Sequence, residues 1–207
     1  MTTQSKFISC DFSKTINSLI NLTDLNCCFT KITNEALVDL VNLTKLDCSC
    51  CYNLFDHIHD DMPIEEEIAR KSNKLMNVML GNGVFDNLIN LTDLNCSSCS
   101  HIFDKSIAHL SKLTKLDCNL CNKITGLINN NSDESSKTFS NLVNLTILDC
   151  SYCTNMSKLA LVGLDKLTDL DFRHCCDAID YQADKELLQI SKLTQLNGNP
   201  IESILNN

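Results

Sequence analysis

The 207-residue chain has no tryptophan, two prolines and five glycines, and no apolar run approaches the roughly 18 residues that a membrane-spanning helix requires. With so few glycines there is no glycine-rich phosphate loop, and no Ser-centred nucleophile elbow occurs. Basic residues are also short: 17 Lys and Arg stand against 26 Asp and Glu, a net charge of −9. Nucleic-acid binding rests on dense neutralisation of phosphate, so neither nucleic acid nor membrane is an expected partner. The opening residues, Met1 to Cys10, lack the apolar segment of a secretory signal. What the chain has in excess is asparagine (24) and cysteine (14). The former, with the shortage of Gly, Pro and Trp, matches an AT-rich genome. Fourteen cysteines would read as a disulfide scaffold in a secreted chain; without a signal segment, we expect reduced thiols in the cytoplasm. Apolar residues at 43% and charged residues at 21% are near globular averages, so one folded domain over 1–207 is expected.

One phrase recurs seven times: NLTDLNCC from Asn21, NLTKLDCSCC from Asn42, NLTDLNCSSC from Asn90, KLTKLDCNLC from Lys112, NLTILDCSYC from Asn144, KLTDLDFRHC from Lys166 and KLTQLNGNP from Lys192. Its leading leucines, near 22, 43, 91, 113, 145, 167 and 193, are separated by 21, 48, 22, 32, 22 and 26 residues, a period of about 22 with insertions. With that leucine as position 1, position 4 is Leu throughout, position 6 runs Cys27, Cys48, Cys96, Cys118, Cys150, Phe172, Gly198, and position 9 runs Thr30, Cys51, Cys99, Cys121, Cys153, Cys175. Further apolar residues follow at position 12 (Leu54, Ile102, Ile124, Met156, Ala178) and in the return segments (Leu40, Leu110, Leu164).

This spacing resembles the leucine-rich repeat signature L-x-x-L-x-L-x-x-N/C-x-L, in its cysteine-containing type. The resemblance implies an α/β solenoid: a curved right-handed superhelix with parallel strands on the concave face and helices and loops on the convex face. The physics agrees, because positions 4 and 6 share one side of a strand and no single copy can bury that side alone. Residues 1–18 are expected to cap the stack as an atypical repeat, with Ile8 and Cys10 in the places of positions 4 and 6; the cover after Leu196 is thin, so the chain is read as mostly monomeric with weak end-to-end association. Two interruptions remain. Pro63–Leu80, inside a 60–83 insertion, reads as a helix started by acidic residues and stopped by Gly81-Asn82-Gly83; a degenerate repeat around Leu75 is its rival. Residues 129–137 are polar and aperiodic, a disordered loop.

Four Cys-x-x-Cys pairs fall in phase with the repeat, which makes them core and turn residues before it makes them metal ligands; Cys28, Cys50 and Cys176 lie off those rows as the exposed thiols. His57-Ile-His59 beside Asp60 and Asp61 lacks a third ligand, so no metal, cofactor or catalytic residue is assigned. The inner face carries more. Position 5 reads Asn26, Asp47, Asn95, Asp117, Asp149, Asp171, Asn197, and position 3 reads Asp24, Lys45, Asp93, Lys115, Ile147, Asp169, Gln195. Asp24 with Lys45 and Asp93 with Lys115 can compensate; Asp117, Asp149, Asp169 and Asp171 have only Lys115 and Arg173. Beside them Leu120, Tyr152 and His174, at position 8, supply apolar contact. The expected function is a non-enzymatic protein–protein interaction module whose acidic concave face takes a basic segment of a partner. The alternatives are a metal- or redox-responsive protein, and a substrate-recognition subunit of a ubiquitin-ligase-like complex without its own F-box. Short Asn-rich chains with this phrase also resemble repeat proteins of giant viruses and AT-rich protists, which implies a host or regulatory partner.

Overall fold

The computed structural model describes residues 5–7, 19–30, 32, 34–51, 83–99, 102–126, 138–161, 163–175, 190 and 192–205. Residues 60–82 of the expected 60–83 insertion, the loop at 129–137, His57, His59, Cys10, Cys176 and most of the N-terminal cap lie outside them. Among the described residues nine short strands form one sheet in chain order: β1 (Ser5–Phe7), β2 (Asp24–Asn26), β3 (Lys45–Asp47), β4 (Asp93–Asn95), β5 (Lys115–Asp117), β6 (Ile147–Asp149), β7 (Asp169–Asp171), β8 (Gln195–Leu196) and β9 (Asn199–Pro200). Neighbours are parallel except β8 and β9. From β2 to β8 the register sets position 4 leucine beside position 4 leucine. This is the leucine-rich repeat solenoid, with strands on the inside. The return segments carry short helices, α1 (Asn34–Leu37), α2 (Asp104–Ile107) and 3-10 turns at Thr138–Asn141 and Lys158–Leu161. None of the described helices is long and apolar enough to cross a membrane.

The core is the set of positions the spacing predicts. Leu at 1 and 4, Cys at 6 and 9, Ile102, Ile124 and Met156 at 12, and Leu40, Leu110 and Leu164 are buried, with Phe85, Phe139 and Phe172 filling the wider gaps. Stacking is reinforced by polar ladders, because each three-residue strand leaves many backbone groups to satisfy. Thr at position 2 donates its hydroxyl to the preceding repeat's position 2 carbonyl at 2.9–3.1 Å, from Thr44 through Thr92, Thr114, Thr146 and Thr168 to Thr194. On the other side of the leading leucine, the Asn42, Asn90 and Asn144 amides donate to Ile20, Val41 and Ser111 carbonyls, and Lys112 and Lys166 donate to Asn90 and Asn144.

On the convex side Asp104, at the start of α2, is buried and accepts from Thr125 N–H, Thr125 hydroxyl and Gly126 N–H at 2.8–3.2 Å, tying one repeat to the next. Gly126 is required there: its φ is +79°, and a Cβ would stand 2.0 Å from that of Ala160.

The two ends differ from expectation. β1 sets Lys6, not Ile8, beside Leu25; a terminal strand has one neighbour, so its register is weakly pinned. At the other end the sheet is closed. Asn197 (φ 55°) and Gly198 (φ 76°) make a tight turn of the primed type, and β9 folds back antiparallel on β8. Pro200 on the outer strand has no N–H to offer a further strand, and α3 (Ile201–Leu205) follows. Asn197 Oδ1 accepts the Phe172 N–H at 2.8 Å, in place of the carbonyl that the next repeat supplies elsewhere.

Candidate binding face

Each repeat leaves its strand through a four-residue turn in which the position 9 N–H bonds the position 6 carbonyl, at 3.0–3.2 Å from Thr30 to Cys153. Its second central residue, position 8, has positive φ in the first six copies: Phe29, Cys50, Ser98, Leu120, Tyr152 and His174, between 55° and 61°. That is type II geometry, which prefers Gly or Asn at this place, yet none of the six is either. The strain is held by the next repeat, whose position 7 carbonyl accepts the position 8 N–H at 2.7–3.0 Å for Phe29, Cys50, Ser98, Leu120 and Tyr152. The left-handed backbone stands these side chains clear of the turn, so Phe29 is 76% exposed, Leu120 45% and Tyr152 44%. Tyr152 and His174 stack, ring centroids 4.5 Å apart at 23°.

Below that rim lies the position 5 row. Register places Asp117 beside Asp149 and Asp149 beside Asp171. Each carboxylate also serves its own turn: Oδ1 of Asp117, Asp149 and Asp171 accepts the N–H of Asn119, Ser151 and Arg173 at 3.0–3.2 Å, and Asn26 and Asn95 accept in the same way. Arg173 turns its guanidinium onto Asp171, Nε to both oxygens at 2.9 and 3.1 Å and Nη2 to Oδ2. This contact, chiefly its hydrogen bonds, raises the Arg173 pKa further. Asp171 is thereby neutralised within the chain. Asp117 and Asp149 are not: Oδ2 of each has no hydrogen-bond partner among the described residues. Burial pushes the Asp117 carboxyl above its ordinary range; the Asn119 N–H works against this, Asp149 adds to it and Lys115 opposes it. Asp169 is half-buried on row 3, beside Ile147. Ile147, in the row but not among the expected contacts, is 37% exposed on the inner face.

The sulfurs are placed otherwise. Position 9 thiols donate across the stack to the preceding position 6 carbonyl, Cys51 to Cys27, Cys99 to Cys48, Cys121 to Cys96, Cys153 to Cys118 and Cys175 to Cys150, at 2.9–3.1 Å. Position 6 thiols are pushed far up, Cys48, Cys96 and Cys118 by the hydrogen bond with the neighbouring position 9 sulfur and then by burial, Cys150 by burial first. Cys51 is lowered to about 7 by its bond with Cys27 but is only 3% exposed, so it offers no accessible nucleophile. Among the described cysteines, Cys28 and Cys50 are the part-exposed thiols. No group of three or more His, Cys, Asp or Glu among the described residues is arranged to hold a metal ion.

No protein-family model and no curated protein matches the sequence. Among solved structures, the chain is similar to the functional domain of InlJ from Listeria monocytogenes, described as including a cysteine ladder. Identity is 21% and the TM-score 0.52, over 89% of this chain and 36% of that one. An internalin, InlF, of Listeria monocytogenes strain 4b F2365 is similar at 19% identity and TM-score 0.51, over 92% of this chain and 51% of that one. The chain thus spans a third to a half of the structures it matches, and the likeness is one of fold.

Proposed function

We propose that this chain is a non-enzymatic protein-recognition module that takes a basic segment of a partner protein on the concave face from β5 to β7. The observation that carries the reading is the pair Asp117 and Asp149, set side by side with unpaired oxygens beside the exposed Leu120, Tyr152 and His174. Like charges on adjacent strands are mildly destabilising, and a cation between them removes that penalty while the rim supplies apolar contact. Arg173 and Asp169 form the far border of the site. The module acts as a monomer in the cytoplasm, a setting that suits its twelve described cysteines, all unpaired. If its source is a giant virus or an AT-rich protist, the partner is a host or regulatory protein.

The test is affinity recovery of the partner from native cells, followed by titration against the parent and an Asp117→Asn, Asp149→Asn double variant. The variant should bind at least about tenfold more weakly at low salt, a loss near 1.4 kcal/mol, and the gap should narrow at 1 M salt, where screening acts over about 3 Å. Equal affinity at low salt would place the site elsewhere.

A further inference from the structure

The next step rests on the acidic-face reading and names the side chain that the face selects. The chain already holds one guanidinium on this row: Arg173, at position 7, lies along Asp171 at position 5, next to the stacked Tyr152 and His174. One and two repeats earlier the same carboxylates recur as Asp149 and Asp117, held in the same way by Oδ1. Their position 7 residues are Ser151 and Asn119, which bring no charge; Lys115 and Arg173 act on Asp117 and Asp149 through space, without the direct ion pair that Arg173 makes with Asp171. Tyr152 stacks on His174 of the following repeat and is 44% exposed, and Leu120 of the preceding repeat is 45% exposed. Ile147 borders the same surface on β6 at 37% exposure.

We propose that Asp117 and Asp149 receive an arginine side chain of the partner, laid against the exposed ring of Tyr152, and that this surface prefers arginine to lysine. The carboxylates stand on adjacent strands about 4.8 Å apart, a span that a planar guanidinium with five N–H groups bridges through the two free Oδ2 atoms. The same plane stacks on an aromatic ring and sheds water at lower cost than an ammonium does. Lysine brings equal charge but neither the fork nor the flat face. A partner segment with apolar residues flanking the arginine then meets Ile147 on one side and Leu120 on the other.

The probes are a six-residue peptide of alternating arginine and glycine and its lysine counterpart, titrated at low ionic strength against the full chain. The arginine peptide should bind about fivefold tighter, the equivalent of one stacked cation contact. Tyr152→Asn, a residue that accepts positive φ, should bring the two peptides within about twofold, while Asp149→Asn should weaken both. Equal binding of the two peptides by the parent, with both weakened by Asp149→Asn, overturns the arginine preference and leaves the acidic face standing. A preference that survives Tyr152→Asn overturns the stacking. Binding indifferent to Asp149→Asn and Asp117→Asn overturns the acidic face and this inference with it.

Discussion

The two cysteine rows look alike in sequence and differ in chemistry, and serine separates them. Cys121, at position 9, donates its S–H to the Cys96 carbonyl at 3.1 Å. Cys118, at position 6, is fully buried, and thiols of that row reach only long contacts, Cys48 to the Asn95 carbonyl at 3.5 Å and Cys150 to the Asp171 carbonyl at 3.4 Å. Cys121→Ala removes one buried sulfur, comparable to a methylene at about 0.8 kcal/mol, adds a small cavity, and deletes a weak hydrogen bond of about 0.5–1 kcal/mol; the loss should be about 2 kcal/mol. The Cys96 carbonyl keeps the Cys99 N–H at 3.2 Å, so no orphaned acceptor adds to this. Cys121→Ser retains a donor aimed at the same carbonyl, and should lose about 1 kcal/mol.

At Cys118 the order reverses. Alanine there costs about 1–2 kcal/mol for the lost volume, whereas serine adds the desolvation of a buried hydroxyl whose shorter C–O bond leaves it poorly placed for the carbonyl of the next repeat, about 1–3 kcal/mol more. Urea unfolding of the four variants under reducing conditions, with a common slope, reads the two differences directly. Serine more costly than alanine at both positions would refute the account of position 9 as a hydrogen-bonding rung; serine milder at both would refute the dry position 6.

Asp104→Ala leaves the Thr125 and Gly126 donors buried without their carboxylate, and should cost about 3 kcal/mol in urea unfolding; a loss under about 1 kcal/mol would mean that water replaces the bridge. Asp117 holds its proton more tightly folded than unfolded, because burial raises its pKa. Its favourable contribution is therefore complete below the ordinary value of 3.8 and is lost as pH rises through the folded value. Asp117→Asn, which keeps the Oδ1 acceptor as Asn26 and Asn95 do, should exceed the parent in stability at pH 7 by roughly 0.2–1 kcal/mol, with the difference gone by about pH 3. Parallel pH–stability curves for the two proteins would contradict this.

The repeating phrase made most of the fold legible, since a leucine and a cysteine in fixed phase specify which side of each strand is buried, and the observed register follows. It missed what depends on the neighbouring copy. A positive φ at Phe29, Leu120 or Tyr152 has no local signal, because no Gly or Asn marks it; the conformation is imposed by the carbonyl one repeat along. Asp104 reads as an ordinary acidic residue at a helix start, and only stacking reveals that Thr125 and Gly126 cover it. Thr at position 2 was visible in six following copies, but its hydroxyl ladder runs across the strands and leaves no periodicity of its own. The C-terminal hairpin carried its Asn197-Gly198 signal openly, hidden by being read as one more repeat.

The candidate face was legible as rows of residues, while the division of labour within one row was not. Position 5 must supply an oxygen to the position 7 N–H, and Asn26 and Asn95 show that an amide does this as well as a carboxylate. The turn therefore explains a short polar side chain at 117, 149 and 171 but not a charge at all three. Asp171 has a reason, since Arg173 pairs with it inside the chain. Asp117 and Asp149 have no such ion pair: Lys115 and Arg173 act on them without direct contact, the two carboxylates oppose each other across neighbouring strands, and Asp117 bears the added burden of burial. Asparagine at either place would serve the turn and relieve the repulsion, so the charge is carried against the stability of the free protein. In the proposed recognition of a basic segment, a cation brought by the partner would offset that cost.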